Sequence, residues 1–261
     1  MAAWDVESVA TELLACEDER RDRVKFTDEW PELDVATGYE IQDLTLQRRL
    51  DRGEKLIGIK LGLTSRAKQQ RMGVETPFVA WLTDAMILPA GDPVPQDKLI
   101  HPRIEPEIVF VMGERLEGPG VTAAQAMAAV DQVLGGAEVI DSRYKDFKFA
   151  AGDVIADNAS SGAFVTGPVS VPPSALDLST EAVLVEVGGQ VVDSATGAAV
   201  QGHPGEALAL AANDLAKRGH AIEPGWIVLT GGMTDAYFAP AGSSISLHFT
   251  NLGSVRIHGG E

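Results

Sequence analysis

The sequence comprises 261 residues, 45% hydrophobic and 23% charged, with 38 acidic against 21 basic side chains and a formal net charge of −17. This is an ordinary globular composition, long enough for one large domain or a domain with a helical extension. The acidic excess excludes nucleic acid and anionic membrane surfaces as partners, since both demand clustered Lys and Arg, and no apolar run approaches the roughly 20 residues that cross a bilayer.

The stretch Met1–Glu7 lacks the basic start and apolar core of a signal peptide. The single cysteine, Cys16, excludes an internal disulfide, and a cytoplasmic location is expected. Val6, Val9, Leu13 and Cys16 recur at helical spacing and predict a helix over residues 5–24, with Cys16 packed and the charged run 17–23 on its solvated face. Pro31 breaks the chain before a second helix, capped by Asp34, closed by Gly53 and packed through Tyr39, Ile41, Leu44 and Leu50. Residues 1–55 therefore read as a helical segment resting on a β-rich body, residues 56–261.

That body opens with a strand over residues 57–63, in which Lys60 is the only charge and Gly58 and Gly62 admit a ligand or another backbone. Burial would lower the Lys60 pKa and suit it to proton transfer or to holding a carboxylate; the alternative is a lysine reaching out of a half-buried strand. Residues 64–73 read as a helix closed by glycine, and residues 77–95 as loop-rich.

Residues 100–111 predict an edge or half-buried strand, with Pro106 favouring the edge. Glu105 and Glu107, two apart, leave the same face. Two adjacent carboxylates entering an apolar run are costly without a cation, so they are either solvated or ligands for a hard divalent metal. Thr122 and Gln125 form a capping box for a helix through Met127, Val130 and Leu134, stopped by Gly135-Gly136. The apolar strand that follows carries Glu138. A salt bridge to Arg103 or Arg143 would account for it; so would a third metal ligand, since three carboxylates suit octahedral magnesium or manganese.

A Gly188-Gly189 turn predicts a hairpin between residues 182–187 and 190–192. A helix over 206–218 and strands at 226–230 and 244–249 complete the chain, and the grouping of helices and strands indicates an α+β fold. No phosphate-binding glycine loop, zinc spacing or GxSxG elbow occurs, and His101 reads as structural.

Seven motifs follow one another in order: Lys60-Leu61-Gly62-Leu63-Thr64-Ser65, Gly73-Val74-Glu75-Thr76-Pro77, His101-Pro102-Arg103-Ile104-Glu105-Pro106-Glu107-Ile108, Glu138-Val139-Ile140-Asp141-Ser142-Arg143-Tyr144, Ala156-Asp157-Asn158-Ala159-Ser160-Ser161, Thr230-Gly231-Gly232-Met233-Thr234 and Leu252-Gly253-Ser254-Val255. Together they resemble the hydratase/decarboxylase branch of the fumarylacetoacetate hydrolase superfamily, over nearly the whole chain. Each motif is weak alone; seven in register are strong. The resemblance implies a mixed β-roll or β-sandwich core, a magnesium or manganese ion held by Glu105, Glu107 and Glu138, and Lys60 facing a bound 2-oxo acid. It also implies Ser161 and Thr230 as donors to a substrate carboxylate.

Hydratases of that branch carry an acidic residue directly after the proline of the Gly-Val-x-x-Pro loop, where this chain has Phe78. The implied reaction is therefore decarboxylation of 2-oxo-3-hexenedioate in meta-cleavage degradation of aromatic compounds. Hydration of 2-hydroxypenta-2,4-dienoate is the alternative, and a non-catalytic assembly subunit a third reading. Carbon–carbon bond hydrolysis would need a His-acid pair, and no His lies around Phe78. The implied partners are a small 2-oxo dicarboxylic acid, a vinylpyruvate hydratase in a complex, and further copies of the chain.

Overall fold

The computed structural model describes residues 4–65, 69 and 77–260. The helix expected over residues 64–73 and the loop that precedes Pro77 fall largely outside the described residues. Helix α1 (Val6–Asp18) is shorter than its charge run suggests. Glu19 caps it and Arg20 turns left-handed at φ 52°, so residues 19–23 form an ion-paired turn rather than a solvated helix face. Arg21 reaches Glu12 and Glu19, and Arg23 pairs with Glu29 while its guanidinium lies 3.5 Å from the centre of the Phe26 ring. Cys16 is fully buried, and burial pushes its thiol up to about 12, so it stays protonated and inert at neutral pH.

Helix α2 (Val35–Asp51) begins where Asp34 accepts from the Thr37 amide at 2.8 Å, and Gly53 follows its end at φ +98°. Its inward face is more polar than the apolar pattern predicts. Gln42 is buried and donates to the backbone oxygens of Val79 and Ile155. The two helices share a core with Phe26, Leu33 and Tyr144.

Seven strands form the main sheet: β1 (Leu56–Gly62), β2 (Phe78–Thr83), β3 (Arg103–Met112), β4 (Val130–Ile140), β5 (Ser161–Val171), β8 (Ile227–Leu229) and β9 (Tyr237–Phe238). Their order is β2-β1-β8-β3-β4-β5, with β9 beside the start of β3, and β1 runs parallel to β8. β2 lies in the stretch expected to be loop-rich, and all six of its residues are buried. A smaller antiparallel sheet, order β11-β10-β6-β7, joins β6 (Ala182–Val187), β7 (Gln190–Thr196), β10 (Ser244–Phe249) and β11 (Ser254–His258). The β6–β7 turn has positive φ at both Gly188 and Gly189, as a two-residue hairpin requires. Helix α5 (Pro204–Lys217) packs Leu208, Ala212 and Leu215 inward and is followed by Gly219 at φ +76°.

The two sheets pack face to face. Ile104, Ile108 and Phe110 of β3 share one core with Ile245, Leu247 and Phe249 of β10, while Glu105, Glu107 and Val109 alternate to the other face. This packing explains two departures from the expected elements. Helix α3 (Ala123–Ala128) opens with the Thr122–Gln125 capping box but stops before Val130, and Gly135-Gly136 lies inside β4 instead of ending a helix. A Cβ at Gly135 would stand 2.6 Å from the Phe249 ring, and one at Gly136 2.6 Å from Val109. The glycines permit close packing; they do not terminate anything.

β3 is an interior strand rather than an edge. Pro106 is tolerated because its nitrogen faces a seam, not a ladder. Between the end of β8 and the start of β9 no strand pairs with β3, and the Pro106 carbonyl accepts from Met233 across that gap.

Candidate metal and substrate site

The site starts from strand register. β3 and β4 are antiparallel with Glu105 directly opposite Glu138 and Glu107 opposite Gly136, so all three glutamates leave one face of the sheet. One oxygen from each carboxylate lies within 4.8 Å of those from the other two. Glu107 is 0% and Glu138 2% exposed. Burial, reinforced by the negative charge of Glu138, holds the Glu107 carboxyl well above the usual range; burial also raises Glu138, against the pull of Lys60.

The seam supplies part of the compensation. The Gly231 amide donates to Glu107 Oε2 at 2.7 Å, and the Gly232 backbone passes so near Glu105 that a Cβ there would be 2.6 Å from Oε2. Glu107 Oε1 remains buried without a hydrogen-bond partner. Three clustered carboxylates, two of them buried, and one orphaned oxygen fit a hard divalent cation with oxygen ligands.

Lys60 faces the cluster from β1. The residue is 2% exposed, which removes the reading of a lysine reaching to solvent. Nζ lies 2.7 Å from Glu138 Oε1 and donates to the Ala159 carbonyl. Glu138 is thus paired with Lys60 and not with Arg103 or Arg143. Arg143 is buried against Asp157, and the Arg103 guanidinium lies 4.1 Å from the centre of the Phe147 ring.

A feature absent from the sequence reading places that carbonyl. After helix α4 (Ala151–Ala156), Asn158, Ala159 and Ser160 are successively left-handed, at φ 48°, 49° and 59°. Asn158 tolerates this conformation best, and its side chain clamps β2 by accepting from the Trp81 amide and donating to the Trp81 carbonyl, both at 2.9 Å. The turn aims the Ala159 oxygen at Lys60 and leaves the buried Ser160 Oγ without a partner.

These groups border a cavity of about 170 Å³. Lys60, Glu105, Glu138, Thr64 and Ser160 supply its polar side; Phe78, Phe147, Phe149 and Val154 supply the apolar side. The Ser161 and Thr230 hydroxyls do not line it. Ser161 Oγ donates to the Asn158 carbonyl at 2.7 Å and Thr230 Oγ1 to the Ile108 carbonyl at 2.8 Å. Among the described residues, the hydroxyl-bearing ones that line the cavity are Ser160 and Thr64. His101 packs against Phe147, ring centres 4.7 Å apart, behind the apolar side.

Comparison with known proteins identifies the chain's relatives. The sequence model of the family described as "Fumarylacetoacetate (FAA) hydrolase C-terminal" matches residues 55–258. A 4-oxalocrotonate decarboxylase from Pseudomonas sp. is 45% identical over 231 residues, 88% of each chain. A 2-hydroxypent-2,4-dienoate hydratase from Pseudomonas putida is 44% identical over 185 residues, 70% of this chain and 83% of its own. The solved structure of a Pseudomonas putida 4-oxalocrotonate decarboxylase complexed with magnesium and adipate matches with a TM-score of 0.95 and 42% identity, covering 97% of this chain and 96% of that one.

Proposed function

We infer that this chain, which belongs to the fumarylacetoacetate hydrolase family, is a metal-dependent carboxy-lyase that converts 2-oxo-3-hexenedioate (4-oxalocrotonate) to 2-hydroxypenta-2,4-dienoate and carbon dioxide. The observation that carries the reading is a three-carboxylate cluster with a buried lysine on one side of a cavity whose other side is aromatic. Glu105, Glu107 and Glu138 would hold the ion, with magnesium favoured by the ion in the similar decarboxylase. When bound, magnesium supplies a Lewis acid for the 2-keto oxygen.

The chain's own residues do the rest. In the substrate the C5–C6 bond breaks, C6 leaves as carbon dioxide, and the electron pair moves through the C3=C4 alkene to the 2-keto oxygen. Lys60 is the one cationic side chain among the described residues that line the cavity. Held between Glu138 and the Ala159 carbonyl, it sets a fixed positive charge beside the developing enolate oxygen and can pass it the proton that completes the dienol. Ser160 Oγ, buried without a partner, can donate to a substrate carboxylate. Phe78, Phe147, Phe149 and Val154 give the distal carboxylate an apolar environment, which disfavours its charge relative to neutral carbon dioxide.

The hydratase relative keeps water addition as the second reading. Phe78 weighs against it, because an aromatic ring at that position neither activates water nor relays a proton. The dienol product is the substrate of such a hydratase, which supports a complex between the two enzymes. Assembly of several copies of this chain and a cytoplasmic site of action, in keeping with one buried free thiol, belong to the same proposal. The test is direct. Incubated with magnesium and 2-oxo-3-hexenedioate, the isolated protein releases carbon dioxide stoichiometrically with dienol; release of none, with hydration of added dienol, would establish the second reading.

A further inference from the structure

A dianionic substrate must approach a chain of net charge −17. Next to the catalytic cavity lies a second cleft of about 570 Å³, lined by Lys25, Lys145 and Lys148 against Asp28 and Asp146. Phe147 and Phe149 line both spaces, and Arg103, stacked on Phe147, adds a fourth cation beside it. Two other large clefts have the opposite sign. One of about 470 Å³ sets Glu17, Asp92, Asp97 and Asp141 against Lys98 and Arg143, and one of about 670 Å³ sets Asp34, Glu40, Asp43 and Asp214 against Lys217 and Arg218. The cationic cleft is the one that shares its aromatic side with the catalytic cavity.

Local backbone explains how one short segment serves both spaces. Asp146 and Phe147 are left-handed at φ 57° and 54°, which leaves Lys145 and Lys148 exposed in the cleft while the ring between them also lines the catalytic cavity. Lys148 pairs with Asp146 and Lys25 with Asp28, each at 3.3–3.4 Å. Lys145 makes no ion pair among the described residues.

We propose that this lysine cleft is the vestibule of the active site, recruiting dicarboxylates by charge and favouring dianions over monoanions before they pass Phe147 and Phe149. The inference rests on the dicarboxylate reading of the site. Long-range attraction of this kind raises local substrate concentration and association rate and is screened by salt.

The experiment compares wild type, Lys145→Glu/Lys148→Glu and Lys145→Arg/Lys148→Arg, all loaded with magnesium, at about 20 mM and about 300 mM ionic strength. The readouts are kcat/KM for 2-oxo-3-hexenedioate and the Kd of adipate, an unreactive dicarboxylate. Charge reversal is expected to weaken both about tenfold at low salt, with the loss in kcat/KM and not in kcat, and to converge on wild type at high salt. The arginine variant should match wild type throughout, and a monoester of adipate, with half the charge, should lose only about threefold on reversal. An unchanged Kd and kcat/KM, or a loss equal at both salt concentrations, overturns the vestibule. Wild type that binds adipate with this salt dependence yet releases no carbon dioxide would overturn the decarboxylase reading alone.

Discussion

Glu107 carries the sharpest conflict between stability and function in the molecule. It is wholly buried, its neighbours Glu105 and Glu138 share its sign, and one of its oxygens has no partner. Removing its charge should therefore act in opposite directions on the two properties. Glu107→Gln is expected to raise the melting temperature of magnesium-free protein, because it deletes a desolvated, repelled carboxylate while keeping the shape. The same change should lower magnesium-dependent turnover at least about a hundredfold, since a neutral amide oxygen is a poor substitute ligand for a hard cation. Thermal unfolding in chelator and turnover against magnesium concentration check the two halves. A variant that stays fully active at wild-type metal concentration would remove Glu107 from the metal site.

At the scale of the elements, Gly135 tests how tightly the two sheets meet. Its absent side chain leaves room for Phe249, and a methyl group would need 2.6 Å where contact allows nearly four. Gly135→Ala should cost about 1–3 kcal/mol, a fall in melting temperature of several degrees at this chain length; thermal unfolding with magnesium present measures it. The same position shows where sequence pattern loses information. Glycine pairs end helices and also sit in crowded strands, and only the partner sheet decides between the two. Alternation made Glu105 and Glu107 legible as one face, and the apolar setting of Lys60 and Glu138 marked both as unusual. Their meeting depends on β3–β4 register and on β1 lying two strands away from β3, which no local pattern encodes. The turn over residues 158–160 was invisible for a related reason. Ala159 and Ser160 have no intrinsic taste for positive φ, and the surrounding contacts impose it. In that turn Ser160 lines the cavity, while Ser161 Oγ donates to the Asn158 carbonyl.

For the whole molecule, three clustered carboxylates of like charge mean that a bound metal would belong to the folding balance as well as to the chemistry. An ion that binds only the folded chain adds about 2.7 kcal/mol at a hundred times its Kd, which corresponds to several degrees in melting temperature. Scanning calorimetry should show that rise with magnesium and its loss on adding chelator, and Glu107→Gln should show neither. No helix among the described residues is long and apolar enough to cross a membrane.

The seam in the main sheet gives the protein an unusual division of labour. Residues 230–236 leave the ladder between β8 and β9 and bring the Gly231 amide and the Gly232 backbone to the glutamates. The segment is tied to β3 at few points: the Met233 amide donates to the Pro106 carbonyl and Thr230 Oγ1 to the Ile108 carbonyl. It works as a faceplate over carboxylates whose positions are set elsewhere: a change in its outline re-cuts the space beside Glu105, Glu107 and Glu138 while β3–β4 register keeps the three together.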